Sequence, residues 1–194
     1  MKSKLVCFRG SVAMGKRYKN KYRTESMRLR YWDYGSNAAY FITICTKNRK
    51  HYFGEVWQGQ MYRTEIGEIA HQYWLEIPQH FPFVKLGEFV IMPNHVHGII
   101  IIDKPEKEKS PGTPVPRRFP PDSPANRFGP QSKNLASIIR GYKAAVKKYA
   151  TMHGIDFAWQ SLYYDHIIRN EEAFYRISKY IKNNPLKWEE DRFS

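Results

Sequence analysis

Residues Phe89–Ile102 read FVIMPNHVHGIIII. An apolar run meets a Pro-Asn break, and a second run opens with two histidines and closes with four isoleucines. Two β-rich runs separated by a two-residue turn signal predict a pair of antiparallel strands, Val84 to Met92 and His95 to Ile102. Side chains of a strand alternate between its faces, so His95 and His97 point one way and Val96 the other. Strand rise sets the two histidines about 6.5–7 Å apart at the backbone, close enough for both imidazoles to hold one ion. Two ligands leave such a site incomplete, and a third has to come from elsewhere in the chain.

Working outward, Tyr40–Thr46 (YFITICT) is rich in β-branched and aromatic residues and predicts another strand. Thr64 to Ile77 places Ile66, Ile69, Ala70, Tyr73, Trp74 and Ile77 at helical spacing, with Pro78 as its stop. Leu135 to Tyr149 gives a second helix, whose apolar face carries Leu135, Ile138, Ile139, Tyr142, Val146 and Tyr149. Gln160 to Ile168 reads as a further strand. Asn170 is a candidate N-cap, with Glu171 and Glu172 in the first turn, for a last helix running to Asn184 before Pro185. The order strand, helix, strand, strand, helix, strand, helix predicts an α+β, ferredoxin-like sandwich with an antiparallel central sheet and helices packed on it.

Two stretches stand apart. Residues 1–30 carry ten Lys or Arg against a single acid, Glu25, and read as a flexible basic arm. Residues 103–133 hold eight of the twelve prolines, with charges, glycines and no apolar period. They read as a loop inserted within a single domain spanning 31–190.

A formal net charge of +14 favours a polyanionic partner, nucleic acid before anionic membrane. Aromatic residues at 15% suit single strands, on whose bases they can stack. Cys7 and Cys45 form no disulfide framework and no Cys-x-x-Cys, which fits a reducing compartment. No apolar run reaches membrane-spanning length, so the cytoplasm is the default expectation.

The last helix offers a ligand and a nucleophile together. Tyr180 and Asn184 stand four residues apart, on one helical face. An amide oxygen can complete a His-His site, and a hydroxyl one turn away can lie near the ion. Tyr142, central on its apolar face, is a rival, as are Tyr163 and Tyr164 beside Asp165 and His166; Tyr180 ranks first.

His95-Val96-His97 after Met-Pro-Asn resembles the His-hydrophobic-His motif of the HUH single-tyrosine transposases. The ending Tyr180-Ile-Lys-Asn-Asn184-Pro185 resembles their tyrosine helix, most closely that of the REP-associated tyrosine transposases. Trp159–His166 (WQSLYYDH) and Tyr40–Thr46 are similar to other recurring stretches of that family. The resemblance covers roughly residues 28 to 190, leaving out the proline-rich stretch. It implies the HUH endonuclease fold, His95, His97 and Asn184 as ligands of a divalent ion, and Tyr180 as nucleophile. It further implies a nicking and rejoining reaction on hairpin-containing single-stranded DNA through a 5′-phosphotyrosine. Mg²⁺ or Mn²⁺ is the expected ion: imidazole ligands favour Mn²⁺ and availability favours Mg²⁺. Arg140, Lys143, Lys147, His166 and Arg169 are the DNA-binding candidates, in a monomer or a homodimer. The competing readings are a basic, non-catalytic nucleic-acid-binding module and a zinc hydrolase, the latter requiring further His or Asp ligands.

Overall fold

The computed structural model describes residues 17–18, 22–23, 32–105 and 132–190. The expected arm, 1–30, lies outside the described residues except for two short paired strands, β1 (Arg17–Tyr18) and β2 (Tyr22–Arg23). Most of the proline-rich stretch, 106–131, lies outside them as well.

The centre is a four-stranded sheet in the order Val84–Met92, His95–Ile102, Ala38–Cys45, Tyr164–Ile168, every neighbour antiparallel. Its strands are β3 (Ala38–Cys45), β6 (Val84–Met92), β7 (His95–Ile102) and β8 (Tyr164–Ile168). The Pro93–Asn94 turn joins β6 to β7 and sets Met92 opposite His95. Because neighbouring pairs are antiparallel, β3 and β6 run parallel with α1 (Glu65–Leu75) between them in sequence. Likewise β7 and β8 run parallel across α3 (Leu135–Met152). This is the split βαβ order that the sequence predicts.

The register decides which residues share a face. Cys45 faces His95, Thr43 faces His97 and Phe41 faces Ile99. On the opposite face Tyr40, Ile42, Ile44, Val96 and Ile100 form the main core with Trp74 of α1 and Ile138, Tyr142 and Val146 of α3. The histidine face is covered instead by α4 (Glu171–Lys182), whose Ile177 and Ile181 pack on Phe41, Ile99 and Ile168. The described residues therefore form three layers, with α4 on the histidine side of the sheet. Covered on both faces, β7 is buried along nearly its whole length, which accounts for its unbroken isoleucine run.

Gly98, between His97 and Ile99, lets Trp74 lie directly on the sheet. A Cβ there would sit 2.9 Å from Trp74 Cε2 and closer still to Cζ2. Trp74 is fully buried between Phe89 and Tyr142 and has no room to retreat. Gly98→Ala is expected to lower stability by about 1–3 kcal/mol, the usual range for overpacking, read as a shift in the urea midpoint.

The elements differ from the sequence expectation at several edges. The first helix stops at Leu75, and Pro78 falls in the first turn of a separate short helix, α2 (Ile77–His80), where its missing N–H costs nothing. The second helix extends past Tyr149 to Met152. The last strand begins at Tyr164 rather than Gln160, because the preceding segment packs along α3: Phe157 is buried and Trp159 Nε1 donates to Lys143 O at 3.0 Å. The last helix ends at Lys182, and a 3₁₀ turn, Pro185–Glu190, follows. A hairpin that the sequence reading lacked, β4 (Gly54–Trp57) with β5 (Gln60–Arg63), stands between β3 and α1 in the chain.

Candidate active site

The turn before β7 and the register of β3 fix the two imidazoles. Asn94 Oδ1 lies 2.9 Å from His95 Nδ1. A carbonyl oxygen only accepts, so Nδ1 carries the proton and the Nε2 lone pair is the coordinating one. His97 Nδ1 lies 2.9 Å from the hydroxyl of Thr43, its cross-strand partner. On its other edge, His97 Nε2 is 3.3 Å from the Tyr180 hydroxyl, which donates to it when Nδ1–H donates to Thr43. Each ring is thus oriented by a partner at Nδ1, as metal-ligating histidines commonly are; the Asn94 carbonyl fixes the tautomer of His95, whereas the two hydroxyl partners of His97 accommodate either.

The two ring centroids are 4.3 Å apart and both side chains are buried. Burial holds His95 well below the usual histidine range, helped by the proximity of His97 and of Arg49. Burial pulls His97 down to about 3, against a smaller upward pull from a hydrogen bond with the Ile42 backbone. Neutral imidazole is the form that binds metals.

This burial has a stability consequence. From the ordinary histidine value of 6.5 down to about 3, an unfolded chain binds a proton at position 97 that the folded chain refuses. Stability is therefore full above 6.5 and falls as the pH drops through that window, by at most about 1.4 kcal/mol per pH unit for one such group. Urea melts of metal-free protein should show this slope, and His97→Gln should make it shallower.

Tyr180 sits near the C-terminal end of α4, its ring 5.4 Å from that of His97 and edge-on to Phe41 at 6.2 Å. Asn184 falls two residues beyond the helix, not within it as expected, and its N–H donates to Ile181 O at 3.2 Å. It is nevertheless buried. In the chain it lies between Tyr180, which reaches His97, and Trp188, whose ring stacks against His95 at 6.1 Å. Among the described residues no group of three or more His, Cys, Asp or Glu gathers. Asn184, the third ligand expected from the sequence, is a buried amide in the turn after the helix that carries Tyr180. Two neutral, oriented imidazoles are donors that suit a divalent ion, and an amide oxygen would be a compatible third.

The chain is 42% identical over 171 residues to an uncharacterized protein of Haemophilus influenzae, across 86% of this chain and 91% of the other. The two belong to one family. No family model matches the chain. Among solved structures, a REP-associated tyrosine transposase bound to a REP hairpin overlays on 84% of this chain and 74% of its own, at 18% identity and a TM-score of 0.54. The likeness shows the fold: the antiparallel sheet and its helices are arranged as in that transposase.

The other candidates separate in space. The Tyr142 hydroxyl donates to Ala70 O at 3.0 Å deep between α1 and α3, on the far side of the sheet, and burial raises its pKa. Tyr163 packs against the main core, whereas Tyr164 is exposed on β8 opposite Thr43. Of the DNA-binding candidates, Lys143 and Lys147 clasp the segment before β8: Lys143 Nζ donates to Gln160 O at 2.6 Å and Lys147 Nζ to Phe157 O at 2.7 Å. Arg140 is exposed on α3. His166 and Arg169 are exposed and line one cleft with Tyr34 and Asn170, at the sheet edge formed by β8. No helix among the described residues is long and apolar enough to cross a membrane.

Four residues of the site escaped the sequence reading. Asn94 lies inside the stretch that opened it, but its bond to His95 depends on the turn. Thr43 and Phe41 follow from the β3–β7 register alone. Trp188 carried no signal, lying beyond the proline that was expected to end the last element.

Proposed function

We propose that this protein is a metal-dependent endonuclease and strand transferase acting on single-stranded, hairpin-containing DNA, with Tyr180 as nucleophile. The observation that carries this reading is the Tyr180 hydroxyl at 3.3 Å from His97 Nε2, within one chain and beside a second oriented imidazole. His95, His97 and Asn184 would hold Mg²⁺ or Mn²⁺. When bound, such an ion polarises a phosphate and stabilises the charge that develops on its oxygens.

The Tyr180 oxygen attacks phosphorus, forming a tyrosyl 5′-phosphodiester as the bond to the 3′ oxygen breaks. The phenol gives up its proton to solvent and the departing oxygen takes one up, leaving a 3′-hydroxyl that can attack the phosphotyrosine in reverse and rejoin strands. The covalent link conserves the phosphodiester energy, so no nucleotide cofactor is needed. Asn94 and Thr43 orient the imidazoles, and Phe41 fixes the tyrosine ring edge-on. The positive charge of the chain supports a nucleic-acid partner, and the transposase of like fold was solved on a REP hairpin.

The test is incubation with single-stranded hairpin DNA and Mg²⁺ or Mn²⁺, followed by a search for a denaturation-resistant protein–DNA adduct. A salt-sensitive complex with no adduct under any metal would instead support a non-catalytic binding module. Metal-dependent hydrolysis with no adduct would support the zinc-hydrolase reading.

Since α4 packs on its own sheet, Tyr180 and the two histidines come from one chain in this reading. A mixture of His95→Ala and Tyr180→Phe proteins is therefore expected to stay inactive at every ratio. Recovered cleavage together with a dimer mass in solution would mean that the tyrosine helix is exchanged between subunits.

A further inference from the structure

The β4–β5 hairpin is an outgrowth with an unusual surface. Its two-residue loop, Gln58–Gly59, has positive φ at both positions, 49° and 73°, the twist that a tight hairpin requires. Register places Trp57 opposite Gln60 and Glu55 opposite Tyr62, so these four share one face. Val56 and Met61 occupy the other, and Met61 packs against the main core. The outward face thus holds two large aromatic rings that the fold does not bury: Trp57 is 64% exposed and Tyr62 52%.

The hairpin is tied to the candidate active site. Gly59 abuts Leu186 so closely that a Cβ would lie 2.7 Å from Leu186 Cδ2. Two residues further on, Trp188 stacks on His95 and meets His51 edge-on at 5.6 Å. The turn leading from β3 toward the hairpin carries Lys47, Arg49 and Lys50, all exposed, and Arg49 is near enough to act on His95. Arg49 thus stands beside His95, on the turn that precedes the hairpin in the chain. Aromatic rings beside a basic approach match the chemistry of an unpaired strand: phosphates meet the cations, and bases stack on the rings.

We infer that Trp57 and Tyr62 form a stacking platform for unpaired bases of single-stranded DNA running past the Tyr180–His97 site. The inference rests on the proposed nuclease reading for its substrate class, but its binding test needs no cleavage. The Glu55 carboxylate on the same face disfavours phosphate there, which suits a surface that takes bases and leaves the backbone to the neighbouring turn.

The experiment uses the full chain carrying Tyr180→Phe, in EDTA, so that no strand is cut. Affinity for a fluorescent oligothymidylate and for a matched duplex is measured over a salt series. Trp57→Ala and Tyr62→Ala are each expected to weaken single-strand binding about tenfold, the scale of one lost base stack, and to leave duplex binding unchanged. Trp57→Phe should recover most of the loss. The slope against log salt should stay constant, because stacking releases no counterions. An oligonucleotide with abasic sites should bind the parent less tightly, while the Trp57→Ala, Tyr62→Ala double variant should not distinguish it from the intact strand. Both residues are exposed, so the melting temperature serves as a control for folding.

Unchanged affinity in both variants would overturn the platform even if hairpin DNA is nicked. Equal losses on single strand and duplex would overturn it too, as would sedimentation showing that the substitutions break a dimer through this face. Aromatic-dependent binding in this assay, with no tyrosyl adduct when the chain that retains Tyr180 is given hairpin DNA and Mg²⁺ or Mn²⁺, would sustain the platform and remove the nuclease reading.

Discussion

Tyr180→Phe is expected to abolish the covalent protein–DNA adduct and lower strand cleavage by at least about a thousandfold, the scale of removing a covalent nucleophile. The substitution takes away one oxygen and keeps the ring. Contacts with Phe41 and His97 depend on that ring and persist. The hydrogen bond lost is the 3.3 Å contact to His97 Nε2, so stability should change by about 1 kcal/mol or less. Metal affinity should hold or rise, because the phenol is not among the proposed ligands and its hydroxyl occupies the His97 Nε2 lone pair that would bind the ion. The controls are the rival tyrosines. Tyr142→Phe breaks a buried bond to Ala70 O and should cost about 1 kcal/mol of stability with the adduct intact. Tyr164→Phe is the sharper comparison, since Tyr164 shares the histidine face. Thr43, its partner on β3, separates it from His97 by a strand, and at about 4.8 Å per strand its backbone lies two strand spacings from that histidine. Denaturing gels with labelled hairpin DNA report all three variants. An adduct surviving Tyr180→Phe but lost in Tyr164→Phe would move the nucleophile to the sheet edge.

The parts of this site that could be read from the sequence are those that depend on local periodicity. His95 and His97 share a face because strand side chains alternate, whatever lies next to the strand. Asn170 caps α4 through Oδ1 to the Ala173 N–H at 2.8 Å, as its place before two glutamates predicts. Tyr180 lies on the side of α4 that meets His97, whereas Asn184 falls in the turn after the helix and not on the helical face that the spacing predicts. What the sequence left open depends on long-range register. Nothing local to YFITICT says that Thr43, and not Thr46, meets His97; pairing with a strand more than fifty residues away decides it. Thr46 spends its hydroxyl on the Lys50 and Asn94 carbonyls, locking the Lys47–Arg49 turn beside the histidine turn. The β4–β5 hairpin was illegible for another reason. Four-residue strands with exposed aromatics and a Gln-Gly loop give neither a long alternation nor the Asn-Gly signal. The helix layering was equally hidden, since the amphipathic patterns of α3 and α4 show that each buries a face without saying on which side of the sheet.

His95→Ala and His97→Ala are each expected to reduce cleavage by more than about a hundredfold while much of the DNA binding survives. The two effects separate because different atoms carry them. Affinity for DNA comes mainly from Lys and Arg on phosphates, and its salt slope follows the number of such contacts, which neither substitution alters. Cleavage needs charge stabilisation at one phosphate, and losing either imidazole leaves the proposed ion with two protein ligands. Replacing the Nδ1 partners should give a graded result. Thr43→Val or Asn94→Ala leaves both ligands in place but releases a ring from its orientation, a change worth about 10–100-fold in metal affinity or activity. That loss should appear as a raised Mn²⁺ requirement, largely recovered at saturating metal. The alanine variants should not recover, because their ligand is gone. Both histidines are buried, so each alanine also opens a cavity, and melting temperatures must show that the variants are folded at the assay temperature. His97→Gln, closer in size, serves where the alanine does not. Cleavage that continues undiminished in EDTA with both histidines replaced would show that the pair has no part in the chemistry, and the tyrosine would then need a different activating group.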